Sequence, residues 1–122
     1  MARILIAEDE PDILLLVERR LARDGHEIVT ADNGTDALRL ALDERPDLLV
    51  VDWMMPGLSG VEVCAALRAH PDAGTTRVLM LTARAQESDL AAAYEAGVDE
   101  FVIKPFRPGE LQQRVAELLD RA

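Results

Sequence analysis

The chain has 122 residues, 49% of them apolar, a formal net charge of −10 and a single cysteine, Cys64. This length suits one compact domain that needs no disulfide or metal staple, and the lone cysteine excludes an internal disulfide and fits a reducing cytoplasm. The charge argues against direct binding to nucleic acid or to an anionic membrane, because phosphates would be repelled, and it makes a cation or a basic partner the natural complement.

Taken in chain order, the residues before the first acidic cluster are too few for a signal-peptide core, since Met1–Ile4 is soon followed by Glu8 and Asp9. The longest apolar runs, residues 13–17 and 48–51, are too short to span a bilayer. Five short apolar runs, at 4–7, 27–30, 48–51, 78–81 and 101–103, read as strands. The first, third and fourth show little polar alternation, as expected of parallel strands buried on both faces. Helical spacing fills the gaps. Over 11–24, Ile13, Leu14, Val17 and Leu21 share a face and Gly25 supplies a stop. Residues 35–44 carry Ala37, Leu38 and Ala41 before Pro46, and residues 60–70 carry Val63 and Leu67 before Pro71. Ser88 is the expected cap of a helix through Ala96, closed by Gly97. Pro108 suits the first turn of a last helix whose stripe is Leu111, Val115, Leu118 and Leu119. The order is (βα)₅, and connections this short predict a doubly wound three-layer α/β sandwich.

In open α/β sheets the binding crevice lies beyond the carboxyl ends of the strands. There the sequence puts Glu8-Asp9-Glu10 after the first run, Asp52 after the third, Thr82 after the fourth and Lys104 after the fifth. The segment 31–34 after the second reads as a turn. If the first and third strands are neighbours, Asp9 and Asp52 face one another with Glu8 beside them. Two carboxylates about 5 Å apart repel by roughly 3 kcal/mol at an effective dielectric near 20. Such a cluster shifts its pKa values upward or recruits a cation. The donors are all oxygen, so a hard cation is expected, and Mg²⁺ keeps room for water and phosphate oxygens. Met54 could contribute only its backbone carbonyl. Lys104 is the only lysine among 13 basic residues; a compact ammonium fits between carboxylates and phosphoryl oxygens where a planar guanidinium does not. Mg²⁺, a lysine and a threonine hydroxyl together describe a phosphoryl-transfer site, with Asp52 as the carboxylate nucleophile.

The stretches "ILIAEDEP" (4–11), "DLLVVDWMMPGLSGVEV" (47–63), "VLMLTAR" (78–84), "AYEAGVDEFVIKPF" (93–106) and "ELQQRV" (110–115) occur in order and at the right spacing. With them the sequence resembles the receiver domain of bacterial two-component response regulators over residues 1–122. The resemblance implies a flavodoxin-like, CheY-like sheet of strand order 2-1-3-4-5. It implies a signalling phosphoacceptor rather than an enzyme, located in the cytoplasm. Asp52 would accept the phosphoryl group from a sensor histidine kinase or a histidine phosphotransfer protein. Asp9, Asp52 and the Met54 carbonyl would bind Mg²⁺, with Glu8 acting through water. Thr82 would bond a phosphoryl oxygen, Lys104 would pair with the phosphoryl group, and Pro105 would be a cis-proline aiming Lys104. Met54 and Arg84 fall where receivers control the attacking water. Phe101 would be the switch aromatic, turning inward as Thr82 moves.

Output to an effector domain or protein would pass through the face of helix 4, strand 5 and helix 5. Asp99, Glu110 and Arg114 match the self-pairing pattern of the winged-helix transcription-factor branch. Leu90, Tyr94 and Gln112 depart from it, so at most a weak, phosphorylation-dependent homodimer is expected. No effector domain follows within the chain, which fits a single-domain regulator or a receiver from a longer protein. Trp53, next to Asp52, is expected to shield or report on the site. Cys64 reads as a small buried or half-buried hydrophobe rather than a reactive thiol, and His26 and His70 as surface residues in turns. A haloacid-dehalogenase-like phosphatase needs a second aspartate at position 54, where Met54 stands. A nucleotide-binding module lacks its glycine-rich loop. A purely structural α/β domain would leave the acidic cluster unexplained.

Overall fold

Side-chain alternation along each strand decides which layer of the molecule it feeds. Leu5, Ala7, Leu49, Val51, Val78, Met80 and Phe101 point into one apolar cluster, while Ile4, Ile6, Leu48, Val50, Leu79, Leu81 and Val102 point into another. Both faces of the sheet are therefore covered, which is why the strands read as unbroken apolar runs. The structure is a computed structural model that describes residues 2–73, 75–84, 86–107 and 109–120. Strands β1 (Arg3–Ala7), β2 (Glu27–Ala31), β3 (Leu48–Asp52), β4 (Arg77–Thr82) and β5 (Glu100–Ile103) alternate with five helices. These are α1 (Pro11–Arg23), α2 (Gly34–Glu44), α3 (Gly60–Ala69), α4 (Glu87–Ala96) and α5 (Glu110–Asp120). All five strands pair in parallel, in the order β2-β1-β3-β4-β5. Helices α2, α3 and α4 pack on the first cluster through Ala37, Ala41, Val63, Cys64, Leu67 and Ala93. Helices α1 and α5 pack on the second through Val17, Leu21, Leu111, Val115 and Leu118.

Local chemistry accounts for most helix ends. The Asn33 side chain accepts the Asp36 N–H at 2.8 Å, so α2 begins inside the segment expected to be a turn. Ser59 and Glu62 form a reciprocal capping box at the start of α3. Gly97, at φ 107°, closes α4 in the left-handed region as expected. The expectation that Ser88 caps α4 is not met. The helix begins at Glu87, its N-cap is Gln86 with no side-chain cap bond, and Ser88 lies inside the first turn. Pro108 lies outside the described residues.

The chain crosses from β2 back over β1 to reach β3. The connections leaving β1 and β3 therefore lead to helices on opposite faces, α1 and α3, and a crevice opens between them at the carboxyl edge. Gly60 fixes the floor of that edge. Its N–H donates to the Trp53 carbonyl at 2.8 Å, and a Cβ at this position would overlap the Asp52 carbonyl oxygen.

Candidate functional site

Register places the site residues. Ala7 pairs with Val51, so the next residues, Glu8 and Asp52, stand level on neighbouring strands, and Thr82 pairs with Ile103, just before Lys104. Glu8 is fully buried, Asp52 is 6% exposed and Thr82 1%. The Lys104 ammonium crosses the edge of the sheet to these acids, with Nζ 2.7 Å from Glu8 Oε1 and 3.2 Å from Asp52 Oδ1. Its backbone N–H donates to the Thr82 carbonyl at 2.8 Å, tying β5 to β4 at the point where the side chain departs. The other Glu8 oxygen accepts the Glu10 N–H at 3.2 Å. Glu8, Asp9 and Asp52 each present one carboxylate oxygen within 4.8 Å of the others. Once all three are ionised, these carboxylates leave two negative charges unbalanced by the one ammonium, and every donor is a hard oxygen. The donor set fits Mg²⁺.

Protonation follows from this crowding. Burial pushes the Asp52 carboxyl up to about 7, reinforced by its hydrogen bond with Glu8 and by the Glu8 charge, with Lys104 only partly opposing. Burial also acts to raise Glu8, but the hydrogen bond and charge of Lys104, with the bonds from Asp52 and the Glu10 amide, outweigh it and hold Glu8 below its usual value. Of these two acids it is Asp52, not Glu8, that takes the upward shift. The lysine discriminates between the acids, lying closer to Glu8. Lys104 itself is raised, because its bonds and charge contacts with Glu8 and Asp52 overcome the effect of burial.

The remaining expected residues surround this centre. Met54 stands at the mouth, 63% exposed, and the Lys104–Pro105 peptide bond is cis. Phe101 is only 8% exposed and already lies inward, its ring edge-on to Tyr94 with centroids 4.8 Å apart. A phenylalanine carries no hydroxyl to hold it at the surface, and the Tyr94 ring covers it. Cys64 is fully buried, and burial pushes its thiol up to about 11, in keeping with a core residue. His26 and His70 each accept a backbone N–H in a turn, from Ala2 and Asp72, away from the acids. Two contacts are more specific than the sequence reading, which sets the Lys104 ammonium among the carboxylates without naming Glu8 as its partner. The Lys104–Glu8 pair joins residues 96 apart, and the Arg84 guanidinium lies over the Trp53 ring, 4.8 Å from its centroid. No spacing rule in the sequence signals either.

The doubly wound parallel sheet of order β2-β1-β3-β4-β5, with an acidic cluster and the Lys104 ammonium at its carboxyl edge, has the flavodoxin-like, CheY-like arrangement. The family model of the response regulator receiver domain matches residues 4–116, and the chain belongs to that family. It is 41% identical over its whole length to the phosphate regulon transcriptional regulatory protein PhoB of Rhizobium meliloti, covering 54% of that protein. It is 44% identical to the transcriptional regulatory protein PrrA of Mycobacterium tuberculosis, over 98% of this chain and 50% of PrrA. The chain thus spans about half the length of the curated relatives it matches. The chemotaxis protein CheY4 of Vibrio cholerae superimposes with a TM-score of 0.91 at 30% identity, covering 97% of this chain and 98% of CheY4. The receiver domain of a Pseudomonas aeruginosa sensor histidine kinase, solved with a magnesium ion coordinated in its active-site cleft, superimposes with a TM-score of 0.89 at 28% identity, covering 98% of each chain. The general function of the chain is that of a phosphoryl-accepting switch in two-component signalling, a system in which response regulators interact with histidine kinases. Receiver domains bind Mg²⁺ at an acidic site, and an acidic cluster is present here. Among the described residues no helix is long and apolar enough to cross a membrane.

Proposed function

We propose that residues 1–122 form one receiver domain that takes a phosphoryl group onto Asp52 from the phosphohistidine of a sensor kinase or phosphotransfer protein. The observation that carries this reading is the Asp52 carboxylate, buried at the carboxyl end of β3 beside Glu8 and 3.2 Å from the only lysine. An Asp52 oxygen forms the new bond to phosphorus while the phosphorus–nitrogen bond breaks and its electron pair returns to the imidazole. Asp9, Asp52 and the Met54 backbone carbonyl would hold Mg²⁺. When bound, the ion supplies charge neutralisation at the phosphoryl oxygens. Both Glu8 oxygens already accept hydrogen bonds, from Lys104 and from the Glu10 amide, which supports a role for Glu8 through water rather than as a direct ligand. Lys104 leaves the carboxylates to pair with the transferred group, and the Thr82 hydroxyl donates to one of its oxygens. Phe101, on β5 with its ring against Tyr94 of α4, carries the change to the face of α4, β5 and α5, where an effector domain or protein docks. This domain acts in the cytoplasm without itself contacting nucleic acid, in keeping with its charge.

The test is incubation with acetyl phosphate and Mg²⁺ followed by intact-mass measurement. One added phosphoryl group, absent in Asp52→Asn, is expected. Continuous hydrolysis of phosphate esters without a stable adduct would replace this reading with a phosphatase.

A further inference from the structure

Helix α4 buries the fewest residues of the five helices. Ala93 is its one buried residue and its N-cap Gln86 makes no side-chain bond, whereas α2 buries Gly34, Ala37 and Ala41, and α1, α3 and α5 each bury two or more. The first turn of α4 is tied instead by Asp89, whose Oδ1 lies 3.3 Å from Arg84 Nη2. The same guanidinium lies over the indole of Trp53, the residue after Asp52. Trp53 is a firm platform. It is 8% exposed, its backbone N–H donates to the Leu81 carbonyl at 3.1 Å, and its backbone carbonyl accepts the Gly60 N–H at 2.8 Å. The backbone N–H of Arg84, in turn, donates to Thr82 Oγ1 at 2.8 Å. One residue therefore touches the neighbour of Asp52, the hydroxyl of Thr82 and the start of α4.

We infer that Arg84 is a positioning residue, a latch that holds the first turn of α4 against the end of β3 in the unphosphorylated protein and opens when Asp52 is modified. The inference rests on the reading of Asp52 as phosphoacceptor. Phosphorylation replaces the Asp52 carboxylate with a group carrying about two negative charges, one more than the ionised acid, and Asp52 precedes the Trp53 on which the guanidinium lies, so the phosphoryl group competes with Asp89 for it. Movement of Thr82 toward that group draws its hydroxyl away from the Arg84 N–H. Two of the ties of Arg84 thus weaken together, and α4 is freed by a change at the mouth of the sheet. Removing the latch raises the population of the opened state in advance, so a ligand that selects this state binds more tightly by the same factor.

The first measurement needs no ligand. The Leu90 N–H closes the first turn of α4 on the Gln86 carbonyl at 3.1 Å. Its hydrogen exchange is expected to be roughly five-fold faster in Arg84→Gln and in Asp89→Asn, the size that a half-exposed cation–π contact or ion pair can supply. The double variant should be little faster than either single one, and the amides of α1 should be unchanged. Wild-type exchange in either single variant overturns the latch. The second measurement is the affinity for beryllofluoride with Mg²⁺, which should tighten by a similar factor in both variants. General loosening of the fold would weaken it. If Arg84 merely lends charge to the bound anion, Arg84→Gln weakens affinity while Asp89→Asn does not, and the latch is overturned. A wild-type protein that ignores beryllofluoride removes the Asp52 reading, and the exchange rates then decide the latch by themselves.

Discussion

At the scale of single residues, the site is a contest between one ammonium and the carboxylates around it. In the metal-free protein Asp52 keeps its proton up to about pH 7, against an ordinary value of 3.8. Between those limits the folded chain holds a proton that the unfolded chain has released, so stability falls as pH rises and levels off above pH 7. Glu8, lowered from 4.5, acts oppositely: it adds stability above that value, lost as pH falls through its folded pKa. The contribution of Lys104, raised from 10.5, is complete below that value and is lost only in alkali. Thermal melts in chelator from pH 5 to 8 should therefore show a falling midpoint that flattens near pH 7, and Asp52→Asn should abolish the fall. A wild-type midpoint that rises across this window would contradict the assignment. Lys104 also competes with any cation for Asp52, since Nζ already lies 3.2 Å from Oδ1. Lys104→Ala should tighten Mg²⁺ by up to about tenfold, by removing cation–cation repulsion. Lys104→Arg keeps the charge and should bind Mg²⁺ as the wild type does, yet fail to pass beryllofluoride shifts to α4 and β5, because the planar guanidinium displaces Thr82. Trp53 fluorescence reads the first effect and NMR the second; full wild-type shifts in Lys104→Arg would mean that any cation serves.

Elements show why some of this was legible in the sequence and some was not. Strands buried on both faces need unbroken apolar runs, so β1, β3 and β4 stood out, and the residue after each run marked the carboxyl edge where Glu8, Asp52 and Thr82 gather. The start of α4 did not stand out. Ser88 is a good cap by type, but the backbone turns helical one residue before it, and the Arg84–Asp89 pair ties the first turn instead. Contacts such as Lys104–Glu8 and Arg84–Trp53 depend on strand order and on side-chain reach, which no local pattern encodes. The docking of α3 on the end of β3 was equally hidden, and it reverses a usual rule. Glycine to alanine in a helix normally stabilises by up to about 1 kcal/mol. At Gly60 the added Cβ would overlap the Asp52 carbonyl and come within 3.0 Å of Met80 Cε. Gly60→Ala should instead cost about 2 kcal/mol or more, which lowers the melting midpoint by roughly 5–10 °C. A midpoint equal to or above that of the wild type would show that α3 can shift away at no cost.

For the whole molecule the question is what the face of α4, β5 and α5 meets. Its residues that match a self-pairing pattern are already engaged within the chain. Asp99 Oδ2 accepts from Arg68 Nη2 and from the Val78 N–H, each at 2.8 Å. Arg68 also bonds the Gly97 and Thr76 carbonyls, so this pair braces the connections around β4 and β5 and is costly to exchange for an intermolecular partner. Arg114 lies 3.6 Å from Glu100 and 3.9 Å from Glu117 of its own chain. The large apolar side chains exposed on the face, Tyr94 at 49% and Ile103 at 37%, are too few to drive association alone. Two chains that each carry −10 also repel, and phosphorylation adds to that charge. Sedimentation with beryllofluoride and Mg²⁺ should therefore find chiefly monomer at micromolar protein. Whatever self-association occurs should strengthen as salt is added, because screening relieves the like-charge repulsion while leaving apolar contacts intact. A tight dimer that salt dissociates would instead mean that Asp99 and Arg114 trade their internal partners for those of a second chain.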